Sequence, residues 1–331
     1  MKILSRPRKA LALIGASALL LAGCSSDSGS TDSTQGGKDG ESYSIGINQL
    51  VQHPALDAAA EGFKEAFEEA GVNVEWDEQN ANGEQSTALS IAQQLAGKKH
   101  DLNLAIATPA AQAMAKTVKD TPVLFTAVTD AVAAELVASN DAPGGNVTGT
   151  SDIAPIEEQV KLLRQLVPNA KSIGVVYASG EVNSQVQVDE LKKVASGLGL
   201  EVKTQTVTSV NEIPQAAQAL GAVDTIYVPT DNMVVSGIAS LVKVANEKKI
   251  PVIGAEAGTV EGGAVATLGI DYEALGRQTG QMALKILREG ADPATTPVET
   301  ANEFTYVVNK EAAKAQGVEI PAEILEQAET V

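Results

Sequence analysis

The feature that most constrains the fold of this chain is a strict alternation of short β-branched runs with longer amphipathic segments, beginning near Tyr43. The first amphipathic segment places its apolar side chains at helical spacing, as Leu56, Ala59 and Phe63 show. Strands that alternate with helices pair in parallel, because each helix carries the chain back along the sheet. The pattern therefore predicts an α/β fold with doubly wound parallel sheets.

The alternation runs through the chain twice, with a break at Gly144-Gly145. Four strands are predicted in each half, at residues 43–50, 72–76, 102–107 and 123–128 and then at 172–177, 201–206, 225–228 and 251–254. Two successive units of similar size predict two lobes of like construction.

A further extended segment (residues 262–272), a helix (272–288) and a strand (304–309) follow the second unit. These extra elements indicate that the chain crosses between the lobes three times and so forms a hinge. We expect one lobe to contain residues 43–148 and 269–300, and the other to contain residues 149–268 and 301–331.

The first 23 residues have the pattern of an export signal: basic residues precede an apolar run at residues 10–22. The single cysteine of the chain, Cys24, ends the sequence Leu-Ala-Gly-Cys, which resembles the lipobox of bacterial lipoproteins. This resemblance implies lipid attachment at Cys24. Residues 24–42 are rich in Ser, Gly and Asp, and we expect them to form a disordered tether.

Charge and composition exclude several classes of function. Residues 24–331 carry 20 basic and 42 acidic side chains, a net charge of −22, which disfavours nucleic acid and anionic lipid surfaces as partners. His53 and His100 are the only histidines, and the motifs of serine hydrolases, zinc proteases and nucleotide-binding loops are missing. We therefore expect no enzyme, cofactor or metal site.

Polar residues recur where the predicted strands end, and ligands bind at the carboxyl ends of strands in open parallel sheets. The candidates in the first half are Gln49, His53, Thr108, Thr126 and Asp130. Those in the second half and at the crossings are Asp152, Tyr177, Glu181, Asn183, Ser184, Asp231, Asn232, Glu256 and Asp271. Each could instead only cap the helix that follows it.

Six ordered motifs resemble one family. They are INQLVQHPALD, FTAVTD, NVTGTSD, YASGEVNS, PTDN and GIDYEALGRQTG, within residues 47–280. Together they are similar to the substrate-binding lipoproteins of ABC transporters, whose members include tryptophan- and tyrosine-binding proteins. The resemblance implies a type I periplasmic binding protein fold. It also implies that a small solute, often an aromatic amino acid, is bound between the lobes and delivered to a membrane permease.

The polar candidates are compatible with an amino acid. Its ammonium would need an acid, and we expect Asp231 or Asp271, with Glu181 or Glu256 as substitutes. Its carboxylate would need donors, which Thr126, Ser184 and the amides after Asn183 could supply. The aromatic residues considered for contact with a ligand ring are Tyr177, Phe125 and Tyr227.

Alternatives from other classes remain open. A ligand-sensing lipoprotein would share the fold and cleft, and another small solute such as a sugar or nucleoside could occupy the cleft. A secreted hydrolase would show turnover. The favoured interpretation is a monomeric, lipid-anchored protein on the extracytoplasmic face of the cell membrane, with an ABC permease as its partner.

Overall fold

A computed structural model describes residues 41–301 and 304–331. The expected leader, Cys24 and all but the end of the expected tether lie outside these residues, so their assignments stay predictions. Residues 40–331 form one compact unit. Within the described ranges, no helix combines the length and the apolar character needed to cross a membrane.

The strands are short, as the β-branched runs predict. They are β1 (Ser42–Gln49), β2 (Asn73–Asn80), β3 (Leu102–Ile106), β4 (Val123–Val128), β5 (Val147–Ser151), β6 (Ser172–Ala178), β7 (Glu201–Val207), β8 (Thr225–Val228), β9 (Val252–Gly254), β10 (Ala266–Ile270), β11 (Glu299–Thr300), β12 (Phe304–Val308) and β13 (Glu329–Thr330).

Helices follow most of the strands. They are α1 (Pro54–Glu69), α2 (Gln85–Ala96), α3 (Thr108–Thr117), α4 (Ile156–Leu166), α5 (Val182–Gly197), α6 (Ile213–Ala219), α7 (Asn232–Ser236), α8 (Ile238–Lys248), α9 (Ala257–Glu261), α10 (Tyr272–Glu289), α11 (Lys310–Gln316) and α12 (Ala322–Leu325). A single 3-10 turn at Val210–Glu212 precedes α6.

The strands form two sheets, one in each lobe. The first has the order β11-β5-β4-β3-β1-β2 and the second has the order β13-β12-β10-β9-β8-β6-β7. Neighbouring strands pair in parallel except β10 and β12, which are antiparallel. The fold class is therefore the expected one: two mostly parallel α/β lobes.

Sheet membership locates the crossings between the lobes. Strand β5 stays in the first sheet to Ser151, and β10 stays in the second sheet to Ile270. Both ends lie a few residues beyond the boundaries that we expected after residues 148 and 268, because strand pairing continues to the end of each strand. The third crossing falls between β11 and β12, a stretch that includes residues 302–303, which lie outside the description.

The cores follow the sheets. The first lobe has one apolar core, in which Phe63, Phe67 and Trp76 pack edge to face or at a tilt, with ring centroids 5.3 to 6.1 Å apart. The second lobe has two apolar clusters. One contains Tyr227 and the other contains Ile226, its neighbour in β8, because successive side chains of a strand point to opposite faces. Each lobe thus buries its own strands.

Helix α10 returns to the first lobe and crosses α1 at very close range. A Cβ atom on Gly62 would lie 2.0 Å from the Glu273 carbonyl oxygen, and one on Gly276 would lie 2.0 Å from that of Ala59. Real side chains cannot occupy these positions without moving the backbone. The two glycines therefore fix α1 and α10 as one unit, and both helices begin at the space between the lobes.

Two short helices depart from the sequence prediction. Helix α7 precedes α8, and a break at Gly237 separates the two. A Cβ on Gly237 would lie 2.6 Å from Ile213, so the glycine permits close packing at the break. Helix α9 lies in a glycine-rich stretch, where helix propensity is low and the pattern gave no signal.

Candidate functional site

A cavity lies between the lobes, where the carboxyl ends of both sheets meet. The cavity volume open to a water-sized group is about 10 Å³. The residues that line it come from the ends of β1, β4, β5, β8 and β9 and from the first turns of α1, α5, α7 and α10: His53, Ala55, Leu56, Ala127, Thr129, Asp152, Asn183, Thr230, Asp231, Asn232, Val235, Glu256 and Tyr272.

Three buried carboxylates line this cavity: Asp152, Asp231 and Glu256. No Lys or Arg of the described residues is in its lining. Buried carboxylates without a basic partner favour a ligand that brings its own positive charge, because the charged form is otherwise poorly solvated. The site therefore suits a ligand with an ammonium or similar group.

One carboxylate oxygen of Glu256 has no hydrogen-bond donor among the described residues. Its Oε2 accepts a hydrogen bond from the Gly258 amide at 2.8 Å, whereas its Oε1 has no partner among the described residues. Burial, with the nearby charges of Glu261 and Asp152, raises the pKa of Glu256 to about 7. A cationic ligand at Oε1 would satisfy this atom and stabilise the ionised form.

Asp231, by contrast, is fully occupied by its own lobe. Its Oδ2 accepts from the Ala178 amide at 2.6 Å and from the Ser184 hydroxyl at 2.7 Å, and its Oδ1 caps α7 through the Val234 amide at 2.8 Å. Burial raises the pKa of Asp231, and these hydrogen bonds oppose the shift. The geometry assigns Asp231 a structural role first.

Asp152 occupies the first crossing. Its Oδ1 accepts from the Thr129 hydroxyl at 3.0 Å, and its Oδ2 accepts from the Tyr272 hydroxyl at 2.8 Å. Burial raises the pKa of Asp152, and the two hydroxyl donors oppose the shift. Asp152 therefore contributes negative charge beside Glu256, with its orientation set by the first lobe.

Helix α1 points an uncapped N-terminus at the cavity. Its N-cap residue, His53, makes no side-chain cap, and Pro54 has no N–H, so the amides of Ala55 and Leu56 are left without an intrahelical partner. His53 is 9% exposed and its Nδ1 has no partner among the described residues, while burial lowers its pKa to about 4. Such a helix end attracts a carboxylate.

The Glu256 carboxylate, which suits a positive charge, and the N-terminus of α1, which suits a negative charge, lie close together. A Cβ on Gly258 would lie 3.0 Å from Glu256 Oε2 and 3.4 Å from Pro54 Cβ, so the Glu256 carboxylate lies beside the start of α1. In an α-amino acid, one carbon joins the ammonium to the carboxylate. Adjacent receptors for the two groups match this chemistry.

Asn183 also lines the cavity, and its side-chain carbonyl is available to a ligand. Its Nδ2 donates to Glu181 Oε2 at 3.0 Å and to the Thr230 carbonyl at 2.8 Å, which fixes the amide, and its Oδ1 has no partner among the described residues. Asn183 thus offers the cavity an unpaired acceptor.

The structure brings six of the predicted residues into the cavity lining: His53, Asp152, Asn183, Asp231, Asn232 and Glu256. Two more, Glu181 and Ser184, lie directly behind it. Glu181 accepts hydrogen bonds from Asn232 and Met233, and burial together with Asp231 raises its pKa.

The other predicted residues lie elsewhere and have local partners or positions of their own. Gln49 donates to Asp57, and Asp130 accepts from the amides of Val132 and Ala133. Thr126 accepts a hydrogen bond from the Thr150 hydroxyl, Tyr177 donates to Gln185, and Asp271 caps α10. Thr108 begins α3 and is buried, and its hydroxyl has no partner in the described part of the chain.

Sequence reasoning left several lining residues out of the candidate set. Thr129 and Thr230 follow β4 and β8 and belong to the strand-end clusters of the sequence, but they were not chosen as candidates. Tyr272 supplies the aromatic ring of the cavity, whereas Phe125 and Tyr227 are buried in the cores. Leu56 and Val235 give the cavity an apolar wall, but their helical spacing signals only a core face.

A family model described as ABC transporter substrate binding protein matches residues 44–331. The tyrosine-binding protein of Clostridioides difficile (strain R20291) is 44% identical over 320 residues, which are 94% of this chain and 92% of that protein.

Two solved structures differ in how well they superpose. An ABC domain from Streptococcus pneumonia in complex with L-Trp is 40% identical, covers 88% of this chain and 100% of its own, and gives a TM-score of 0.84. The ligand-free, open structure of a substrate-binding protein with adhesive properties from Clostridium difficile is 46% identical over 87% of this chain and 99% of its own, yet its TM-score is 0.67.

Proposed function

Because this chain belongs to the ABC transporter substrate-binding protein family, we propose that it binds an aromatic L-amino acid between its lobes and delivers it to a membrane permease. The observation that carries the proposal is the unpartnered, buried Oε1 of Glu256 beside the uncapped start of α1. The ammonium binds Glu256, with the charge of Asp152 nearby. The carboxylate binds the amides of Ala55 and Leu56.

The ligand side chain lies against the apolar wall formed by Leu56, Val235 and the ring of Tyr272, all of which line the cavity. A ring that carries a donor, such as a phenol or an indole, gives a hydrogen bond to Asn183 Oδ1. Two relatives, a tyrosine-binding protein and an ABC domain in complex with L-Trp, support this class of ligand.

Ligand binding is tested by calorimetry on residues 41–331 against the twenty amino acids, together with native mass spectrometry of the purified protein. We expect tyrosine or tryptophan to bind most tightly. Binding of a sugar or nucleoside, and of no amino acid, would contradict the proposal.

The same proposal includes a lipid anchor at Cys24, which keeps the protein at the outer face of the membrane near its permease. Cys24→Ser should move the protein from the membrane fraction to the soluble fraction and leave ligand affinity unchanged. Uptake of labelled tyrosine or tryptophan should fall in cells that lack the protein. A variant that stays membrane-bound after signal cleavage would contradict the anchor, and unchanged uptake would favour a sensing role.

A further inference from the structure

We propose that Gln187 is a positioning residue of the ligand site, which acts from the second lobe through Thr129 on Asp152. This inference rests on the proposed function, because it concerns how the same site is held closed. Gln187 lies on α5 and is 2% exposed, and it is not part of the cavity lining.

The side chain of Gln187 joins the two lobes. Its Nε2 donates to Thr129 Oγ1 of the first lobe at 3.3 Å and to Thr230 Oγ1 of the second lobe, and its Oε1 accepts from the Thr230 amide at 3.1 Å. Both amide hydrogens and the carbonyl are therefore used. This pattern fixes which end of the amide faces Thr129.

The hydrogen bond at Thr129 has a set direction. A threonine hydroxyl has one hydrogen, and an ionised carboxylate can only accept. Thr129 therefore donates to Asp152 Oδ1, and its lone pairs accept from Gln187. Gln187 thus donates to Thr129, and Thr129 donates to Asp152. Gln187 therefore holds the Thr129 hydroxyl in the orientation that stabilises the negative charge of Asp152.

This chain of bonds depends on closure, since Thr129 follows β4 in the first lobe whereas Gln187 and Thr230 belong to the second. One further contact across the lobes lies at the same place, where Thr129 Oγ1 is 3.3 Å from Thr230 Oγ1. Two others lie elsewhere: Gln85 donates to the Gly180 carbonyl at 2.8 Å, and His53 Nε2 lies 3.5 Å from Asn232 Oδ1. Loss of Gln187 should therefore destabilise the closed state and speed ligand release, with little effect on association.

The first test measures release rates of tyrosine and tryptophan by stopped flow at pH 8. Gln187→Leu removes both donors, and Gln187→Glu keeps the shape but cannot donate when ionised. We expect either change to speed release by about tenfold or more, in line with affinity effects that appear mainly in dissociation. The matched control is Gln316→Leu, because Gln316 is buried and bonds only to Val252 and Gly263 of the second lobe. It should lower the melting temperature and leave the release rate unchanged.

The second test follows closure directly. Spin labels at Ser86→Cys and Val210→Cys, on a Cys24→Ser background, sit on opposite sides of the cleft on exposed positions of the two lobes. Gln187→Leu should lower the closed population with and without ligand. Equal release rates and equal populations in Gln187→Leu and wild type overturn the inference. If wild-type protein binds no amino acid, the proposed function fails, and an unchanged label distance distribution in Gln187→Leu then overturns this inference separately.

Discussion

The Tyr272 hydroxyl donates a hydrogen bond of 2.8 Å to Asp152 Oδ2, and each residue comes directly after a point where the chain changes lobes. Asp152 follows the last residue of β5 and Tyr272 begins α10. The bond therefore ties the first and second crossings together at the wall of the ligand cavity. Hinge and binding site share these two side chains.

Removal of this bond should weaken ligand binding. Tyr272→Phe keeps the ring in the cavity but leaves Asp152 Oδ2 without its donor, which raises the pKa of Asp152 further and reduces its negative charge near the ammonium. We expect affinity for tyrosine or tryptophan to fall by about tenfold, since a hydrogen bond to a charged group contributes roughly 1.5–3 kcal/mol and part of this is recovered by solvent. Calorimetry measures the effect.

Tyr177→Phe is the matched control, because its hydroxyl donates to Gln185 at 3.1 Å within the second lobe and does not line the cavity. Its affinity should equal that of wild type. An equal loss in both variants would contradict the role given to Tyr272.

The stability of the ligand-free protein should fall as the pH rises from 6.5 to 8. The folded-state pKa of Glu256 is raised to about 7 from 4.5, so the folded protein binds more protons than the unfolded chain from about pH 4.5 until the folded-state carboxyl is ionised near pH 8, and stability decreases with pH across that range. The lowered pKa of His53 acts in the opposite sense, chiefly between about pH 4 and 6.5, and only a small part of this effect remains above 6.5.

Above pH 6.5 the ionisation of Glu256 should therefore change the free energy of unfolding more than the titration of His53 does. We expect a loss on the order of 1 kcal/mol from Glu256, measured by urea unfolding. Glu256→Gln should reduce the slope, and Glu181, whose pKa is also raised to about 7 by burial and the charge of Asp231, should sustain the remainder. Saturating ligand should do the same, because its ammonium favours the ionised carboxylate. A wild-type stability that rises between pH 6.5 and 8 would contradict the burial of an unpaired Glu256.

Asn183 should discriminate among aromatic ligands. Tyrosine and tryptophan carry a ring donor for Asn183 Oδ1, and phenylalanine does not, so phenylalanine would leave a buried acceptor unpaired. We expect phenylalanine to bind about 10 to 100 times more weakly than the better of the two others. Asn183→Leu should remove most of this difference in a calorimetric comparison. Equal affinity of wild type for all three amino acids would show that Asn183 does not contact the ring donor.

The crossing of α1 and α10 should tolerate no side chain at its closest point. Gly276→Ala places a methyl group 2.0 Å from the Ala59 carbonyl oxygen, and we expect it to destabilise the fold by about 1–3 kcal/mol. Gly197→Ala, near the end of α5, has no atom within 4 Å and should stabilise by about 0.5–1 kcal/mol. Thermal unfolding of the two variants measures the contrast, and equal melting temperatures would contradict it.

The sequence allowed the fold to be predicted more fully than the site. Periodicity gave the strands and the two lobes, because burial of each sheet imposes a local pattern. The strand-end rule found Glu256 and Asp231, and the sequence prediction placed Asp231 first as the acid for an ammonium, with Glu256 as a substitute. Their difference depends on whether the amides of Ala178 and Val234 and the Ser184 hydroxyl reach the Asp231 carboxylate, which only the folded chain decides.

The same limit applies to Tyr272 and Gln187. Each sits at an ordinary helical position in the sequence, and each acquires its role from a residue far along the chain, Asp152 for Tyr272 and Thr129 for Gln187. No local pattern records such long-range contacts. By contrast, the N-cap position of Asp271 was visible in sequence, and its side chain does cap α10.

The most direct test of the account compares L-tyrosine with two analogues, tyramine and 3-(4-hydroxyphenyl)propionate, by calorimetry on wild type and Glu256→Gln. The account predicts that loss of either the carboxylate or the ammonium weakens binding to wild type by at least about tenfold, since each forms a buried charge-assisted contact. It also predicts that Glu256→Gln weakens tyrosine but not the analogue that lacks the ammonium, while Glu68→Ala on the outer face of α1 changes neither. Tight binding of that analogue to wild type, or full tyrosine affinity in Glu256→Gln, would contradict the ammonium site at Glu256.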